Sequence, residues 1–365
     1  MPTLAKAALR TTTRKNKPFM KKVLLAMSGG IDSSVSAMLL QKSYDITGIT
    51  FECCDVNYRQ ESPAADAHCL AEKLGIEHHI IDVRQQFHDT VISNFISEYL
   101  NGRTPNPCVV CNRNIKWGRL LTEADALECD FLATGHYARI VNENGRYFLR
   151  KGVDLSKDQT YFLWRLTQDN LARTIFPLGE YTKNDIREIA SQNGFVSLTQ
   201  KRESQEICFV PNDDYRAFLR SQVPDIDEKI GKGRIYFEGK KIGMHNGFPF
   251  YTIGQRKGLE VAVGHPVYVT EINSAKNTVT LGEREELLKT EITVSDLNFM
   301  KYDNLETPRT LICKIRYNNA GVECEAMQIG NQLKITFAKP VSAVTPGQSA
   351  VLYEDDDVVA GGIIE

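Results

Sequence analysis

Between the apolar run Val23-Leu24-Leu25-Ala26-Met27 and the helix-like Val35-Ser36-Ala37-Met38-Leu39-Leu40 stands Ser28-Gly29-Gly30-Ile31-Asp32-Ser33-Ser34. A buried strand that turns through two glycines directly into a helix is how a parallel α/β sheet begins, because parallel strands need a crossover between them. Gly29 and Gly30 let the backbone close in on a ligand, and the helix start aims free N–H groups at an anion. Ser28, Ser33 and Ser34 add hydroxyl donors. No GKS or GKT follows the glycines, so this is not a γ-phosphate-cleaving Walker loop. Read as structure alone, the segment is a serine-capped helix start.

The rest of the first half keeps the same rhythm. Strand-like stretches at 46–51, 79–83 and 131–134 alternate with helical ones at 64–74, 87–100 and 115–126. That alternation predicts a doubly wound α/β sheet, whose ligands gather beyond the C-terminal strand ends. A hairpin follows around Asn142-Glu143-Asn144-Gly145, then helices over 159–171 and 182–193. After Pro211 the texture changes to short alternating strands and glycine-rich turns. At roughly 150 residues per domain, 365 residues suggest two or three domains. The expected division is a basic, disordered tail at 1–20, an α/β domain at 21–210, a β-rich central domain at 211–288 and a C-terminal β-barrel at 289–365.

Composition excludes several classes. With 42% hydrophobic and 25% charged residues the chain is globular rather than disordered or fibrous. No apolar run approaches the ~18 residues of a membrane span. The 44 basic against 46 acidic residues remove bulk charge as an argument for nucleic acid, leaving only a local basic face. Nine irregularly spaced cysteines do not make a disulfide framework, which points to a reducing, cytoplasmic setting. Cys53, Cys54, Cys69, Cys129, Cys313 and Cys324 read as small core hydrophobes. Residues 1–19 carry five basic side chains and no acid, as a transit peptide, a basic tail or a misassigned start upstream of Met20 would.

Two further segments bear thiols. In Gly102-Arg103-Thr104-Pro105-Asn106-Pro107-Cys108-Val109-Val110-Cys111-Asn112, two prolines stiffen a loop that presents cysteines at a helix start, with Asn112 as a cap. A helix dipole there would lower a thiol pKa. One CxxC alone leaves redox, metal and structural roles open. The other segment is Ser204-Gln205-Glu206-Ile207-Cys208-Phe209, in which Cys208 taken alone reads as structural.

SGGxDS between strand and helix resembles the pyrophosphatase-type (PP-loop) motif of adenylating enzymes. Joined with Ala133-Thr134-Gly135-His136-Tyr137, Ser156-Lys157-Asp158-Gln159, the ICF at Cys208, 251-YTIGQRKGL-259, Arg316-Tyr317 and 345-TPGQS-349, it resembles the tRNA-specific 2-thiouridylase family over about 21–365. That resemblance implies a PP-loop domain, a β-rich middle and a barrel. It implies ATP and Mg²⁺ as cofactors, a tRNA anticodon loop as substrate and a persulfide donor as partner, and no membrane. Ala26, Met27, Ser28, Gly29, Gly30, Ile31, Asp32, Ser33, Phe51 and Gly135 would hold ATP, Phe51 standing where relatives usually have Met. Asn106, Pro107 and Cys108 would meet the target base, and His136, Lys157, Asp158, Gln159, Arg316, Tyr317 and Gln348 the tRNA. Cys111 would be the nucleophile and Cys208 the persulfide carrier, joined by a transient disulfide.

One position departs from the pattern: relatives carry Asp where this chain has Cys108. Cys108, Cys111 and Cys208 then form a set that could ligate a [4Fe–4S] cluster, or Zn²⁺, with one position open. Two rivals share the observations so far. One is a synthetase that adenylates a carbonyl for nitrogen; the other is a tRNA-binding module with a structural metal.

Overall fold

The computed structural model describes residues 20–54, 63–200 and 207–365; the expected basic tail lies outside them. Its first sheet is parallel throughout. Strand β1 (Lys22–Ala26) leads through the glycine turn into α1 (Ile31–Leu40), followed by β2 (Asp45–Glu52), α2 (Pro63–Leu74) and β3 (Glu77–Asp82). Helical segments α3 (Arg84–Phe87), α4 (Ser93–Leu100), α5 (Pro107–Cys111) and α6 (Gly118–Ala126) precede β4 (Phe131–Ala133). The order is β3-β2-β1-β4-β7, with β7 (Thr174–Ile175) a fifth strand that the sequence reading did not foresee. Strand order reverses between β1 and β4, so the SGGIDSS turn opens at the crevice of the switch point.

The hairpin β5 (Ala138–Glu143) and β6 (Arg146–Lys151) turns at Asn144 and Gly145, both at positive φ, as a tight two-residue hairpin requires. It pairs away from the first sheet: Arg150 of β6 meets Asp357 of the C-terminal barrel. The helix expected over 159–171 is broken. A 3₁₀ turn at Thr160–Phe162 and α7 (Gln168–Ala172) flank a stretch in which Leu163, Trp164 and Leu166 are buried. Barrel contacts override helical periodicity there, since Tyr161 Oη donates to the Ser349 carbonyl and Trp164 Nε1 to Ser349 Oγ. Gly361 is needed opposite, because a Cβ there would lie 2.6 Å from Trp164 Cδ2. Helix α8 (Lys183–Gln192), capped by Thr182, packs on α1, and α9 (Val196–Thr199) follows.

The middle unit opens with two short helices, α10 (Tyr215–Gln222) and α11 (Ile226–Ile230), before its sheet of β8 (Gly233–Phe237), β9 (Lys240–His245), β10 (Tyr268–Asn273) and β11 (Thr278–Gly282). The last unit comprises β12 (Leu288–Phe299), β13 (Arg309–Lys314), β14 (Val322–Ile329), β15 (Gln332–Ser342), β16 (Ser349–Glu354) and β17 (Asp357–Ile364). These six strands are antiparallel, and pairing of β12 with β17 closes them into a barrel. The α/β unit, the β-rich middle and the barrel thus match the expected fold class. Shared cores join them: Phe87, Phe95 and Phe209 pack with Phe218 and with the middle-unit Ile235 and Val269. No helix among the described residues is long and apolar enough to cross a membrane.

Candidate functional site

The glycine turn is shaped for an anion. Gly29 is at φ +69°, and Gly30 caps α1 without any side-chain acceptor, so the amides of the first turn are left for a ligand. The serines brace the turn rather than cap it: Ser33 and Ser34 hydroxyls donate to the Gly30 carbonyl, at 3.1 and 2.7 Å, and the Ser28 amide donates to Ser33 Oγ at 3.1 Å. Met27 is buried, with its carbonyl held by Thr50 Oγ1, and Ala26 and Phe51 lie half-buried at the ends of β1 and β2. Gly135 closes the other side. A Cβ on it would sit 3.0 Å from both the Asp32 carbonyl carbon and the Ser33 nitrogen, so only glycine lets the β4 loop approach this closely. Ile31 anchors the helix start in a cluster with Val35 and Leu178.

Asp32 is held from two elements outside its own. Tyr137 Oη donates to its carboxylate at 2.8 Å, and the Lys183 ammonium lies 2.8 and 2.9 Å from its two oxygens. Neither partner was expected from the sequence, because Lys183 stands 151 residues away in an otherwise ordinary amphipathic helix.

The thiol loop enters from the same side. Asn106 precedes α5, and buried Pro107 occupies its first turn, where a missing N–H costs nothing. Cys108 is exposed and Cys111 half-buried on that short segment. A π-helical turn over Asn112–Trp117 follows, and its wider i→i+5 spacing swings Lys116 back toward the face that bears Cys111. Asn112 caps nothing; it is buried and donates to the Phe162 carbonyl at 2.9 Å. Cys208, exposed in the turn after Ile207, is fixed by its buried neighbour Phe209, which packs edge-on against Phe87 and Phe95. Residues 204–206 of its motif lie outside the described residues.

These thiols converge. Cys111 lies within electrostatic range of Cys208, Cys108 and Lys116, and Cys108 within range of Lys116 and Cys208. Cys53, just beyond β2, packs against the core around Phe87 and Phe95, as expected of a core filler, and also lies within electrostatic range of Cys111, Cys208 and Cys54. Burial pushes the Cys111 thiol up to about 12, Lys116 opposing it, and burial raises Cys53 as well. The expected lowering by a helix dipole is therefore outweighed by desolvation. Cys53, Cys108 and Cys111 are in no disulfide. Among the described residues no group of three His, Cys, Asp or Glu side chains is placed to hold a metal ion. Cys108, Cys111 and Cys208 do not form such a group.

A relay of contacts joins the thiols to the glycine turn. Lys116 Nζ lies 3.4 Å from His136 Nε2, His136 Nδ1 is 2.7 Å from Thr134 Oγ1, and Gly135 between them presses on Asp32. His136 is buried against Trp117 and Phe176, and burial together with Lys116 holds its pKa well below the usual imidazole range. It is a neutral ring.

The other expected contact residues frame this recess. Gln348 Nε2 donates to the carbonyls of Thr104 and Pro105. Asp158 is buried and accepts from Thr160, and Gln159 accepts from the Tyr137 amide at 2.9 Å. Lys157 is half-buried. Arg316 is exposed and donates to the Ala343 carbonyl, while the Tyr317 ring packs 4.6 Å from that of Phe162. A cleft of about 190 Å³ between loop and barrel is lined by Asn106, Arg103, Arg165 and Asp296 among others.

Comparison with known proteins follows the same three units. Residues 21–212 match the family described as tRNA methyl transferase HUP domain, 216–283 its PRC-barrel domain, and 289–364 the aminomethyltransferase beta-barrel domain. A protein of Amoebophilus asiaticus, named tRNA-specific 2-thiouridylase MnmA, is 50% identical over 361 residues, covering 95% of this chain and 96% of its own. Proteins of the same name from Cytophaga hutchinsonii and Salinibacter ruber are each 46% identical, over 94% of this chain and 97% and 94% of theirs.

Proposed function

Since the chain belongs to the tRNA-specific 2-thiouridylase (MnmA) family and is thereby an enzyme of tRNA sulfur transfer, we propose that it adenylates the C2 oxygen of a wobble uridine and replaces it with sulfur carried on Cys208. A uracil carbonyl oxygen leaves poorly. Attack of that oxygen on the α-phosphorus of ATP, taken as its Mg²⁺ complex, breaks the bond to the β-phosphate oxygen and releases pyrophosphate. The N3 proton is given up to solvent as the ring becomes an O-adenylyl imidate.

The terminal sulfur of a Cys208 persulfide then attacks C2, and AMP leaves with its electron pair. Cys111 thiolate attacks the Cys208 sulfur, the S–S bond breaks, and C2 keeps the outer sulfur as a thiocarbonyl while N3 regains a proton from solvent. What remains is a Cys111–Cys208 disulfide, which an external dithiol must reduce before the next turnover. Lys116 favours the thiolates, and neutral His136 transmits no charge of its own. Cys108 stands beside this pair as a third thiol. Recognition of the anticodon loop suits an everted base gripped by the Asn106–Pro107 turn.

The observation that carries this reading is the contact chain from Asp32 through Gly135 and His136 to Lys116, whose charge acts on Cys111. The test is anaerobic turnover with unmodified tRNA, ATP and a persulfide donor. We expect 2-thiouridine, AMP and pyrophosphate in equal amounts, without added iron, in wild type and in Cys108→Ser. ADP as the product would end the adenylation step. Activity that appears only after iron–sulfur reconstitution and is lost with Cys108→Ser would replace the persulfide route.

A further inference from the structure

A chain of hydrogen bonds runs from the surface of α2 to the peptide that enters the glycine turn. Thr50 Oγ1 lies 2.7 Å from the Met27 carbonyl oxygen and 2.9 Å from His78 Nε2. A carbonyl only accepts, so the hydroxyl donates to Met27 and takes its own bond from His78 Nε2–H. That fixes the tautomer of the neutral His78 ring and leaves its Nδ1 an acceptor, 3.4 Å from His68 Nδ1, which donates. His68 Nε2 in turn lies 3.6 Å from Glu72 Oε1. Gly48 makes the room, because a Cβ there would sit 2.6 Å from Met27 Sδ and 3.0 Å from His78 Cδ2. The same peptide is tied at its other edge, where the Ser28 N–H donates to Ser33 Oγ at 3.1 Å. Thr50 and Ser33, both buried, thus hold the Met27–Ser28 plane in one orientation, and that plane sets how Gly29 and Gly30 present their amides. Among the described residues, the ionisable groups around His78 are His68 of α2, with Glu72 behind it, and His79 of β3, beside Glu77. Strand β2 offers it Gly48 and Thr50, and β1 the Met27 side chain, none of them charged.

We propose that His78 is a positioning residue of the nucleotide cradle, acting through Thr50 on the Met27–Ser28 peptide, and that a proton taken up on its Nδ1 loosens the cradle and weakens nucleotide binding. Such a proton removes the acceptor for His68 and sets two N–H groups against each other, so the rings part and Thr50 loses its donor. Burial, His68 and His79 hold the His78 pKa below the usual imidazole range, so the ring is neutral at pH 7.5 and charges only in acid. Its contribution is therefore complete above the ordinary imidazole value and is lost as pH falls through the lowered one. The proposal rests on the nucleotide-binding reading, and its test separates the two.

Full-length wild type, His78→Leu, His78→Gln, Thr50→Val and the double variant His78→Leu/Thr50→Val are titrated with magnesium ATP by calorimetry from about pH 5.5 to 8. Amide hydrogen exchange over 24–30 is followed in the same proteins without nucleotide. The nucleotide's own protonation is common to all of them and cancels in ratios to wild type. At pH 7.5 His78→Leu and Thr50→Val should each bind about tenfold more weakly. The double variant should lose no more than either alone, because both act through one hydrogen bond to Met27. His78→Gln, whose amide donates to Thr50 but does not titrate, should stay within about threefold of wild type at pH 7.5 and gain at least about threefold on it at pH 5.5. Exchange over 24–30 should quicken in the Leu and Val variants and stay unchanged in His78→Gln. Thr50→Val is close to isosteric and carries the test if His78→Leu does not fold. Wild-type affinity in the Leu and Val variants, additive losses in the double variant, or a His78→Gln ratio that does not move with pH would overturn the proposal. A wild type that binds no magnesium ATP ends the nucleotide reading, while the exchange measurement still decides whether His78 positions the turn.

Discussion

Gln348 of the barrel donates its carboxamide N–H groups to the Pro105 carbonyl at 2.8 Å and to that of Thr104 at 3.0 Å, across more than 240 residues of sequence. Beside it the Thr104 amide donates to the Pro346 carbonyl at 2.8 Å. Gly347, at φ +90°, fits because a Cβ there would lie 2.8 Å from the Thr104 oxygen. The C-terminal barrel therefore fixes the loop that carries Asn106, Cys108 and Cys111, and four predictions follow from this and neighbouring contacts.

Gln348→Ala removes two hydrogen bonds to half-buried carbonyls, worth about 1 kcal/mol each. Hydrogen exchange should quicken across 102–112, and kcat for thiolation should fall about tenfold. Unchanged exchange in that segment would show that the barrel does not hold the loop.

Cys111 titrates near 12, so at neutral pH it is almost wholly a thiol. Its alkylation rate, read by mass spectrometry of the Cys111 peptide, should rise about tenfold per pH unit between pH 7 and 10. Lys116 lowers this pKa, so Lys116→Met should slow alkylation at every pH in that window. A flat profile in wild type would contradict the assignment.

Asp32→Ala strands the buried Lys183 ammonium. A fully buried pair broken in this way costs ~3–5 kcal/mol; the partial exposure of Asp32 reduces the expected loss to about 2 kcal/mol. The double variant Asp32→Ala/Lys183→Met should regain part of it in urea unfolding. Additive losses would mean that the two side chains do not interact.

Arg316 is exposed and ties the barrel near Gly254 of the middle unit, whose own Cβ would approach Ala343 to 2.8 Å. If its guanidinium also neutralises one tRNA phosphate, Arg316→Ala should reduce the salt slope of tRNA binding by roughly 0.7 to 0.9. Unchanged affinity and slope would remove it from the tRNA surface.

Local chemistry made much of this legible in the chain alone. The SGGIDSS turn, the strand–helix alternation and the proline-braced thiol loop each depend on residues adjacent in sequence, and each forms as read. The pattern failed where distant contacts outweigh local preference. Helical periodicity over 159–171 yields to Tyr161 and Trp164, which anchor to Ser349. Asn112 reads as a cap, yet its amide turns inward to Phe162.

Adjacent residues thus established an anion cradle, a parallel sheet and a thiol loop, since hydrogen bonds within a turn and side-chain alternation act over a few residues. Folding alone decided what surrounds them. Lys183 reaches Asp32, Lys116 reaches His136 and Gln348 reaches Pro105 because packing of helices, sheet and barrel brings these groups within hydrogen-bond range. Burial then set the charge states, raising the thiols and keeping His136 neutral, and burial depends on which surfaces meet rather than on which residues are neighbours in the chain.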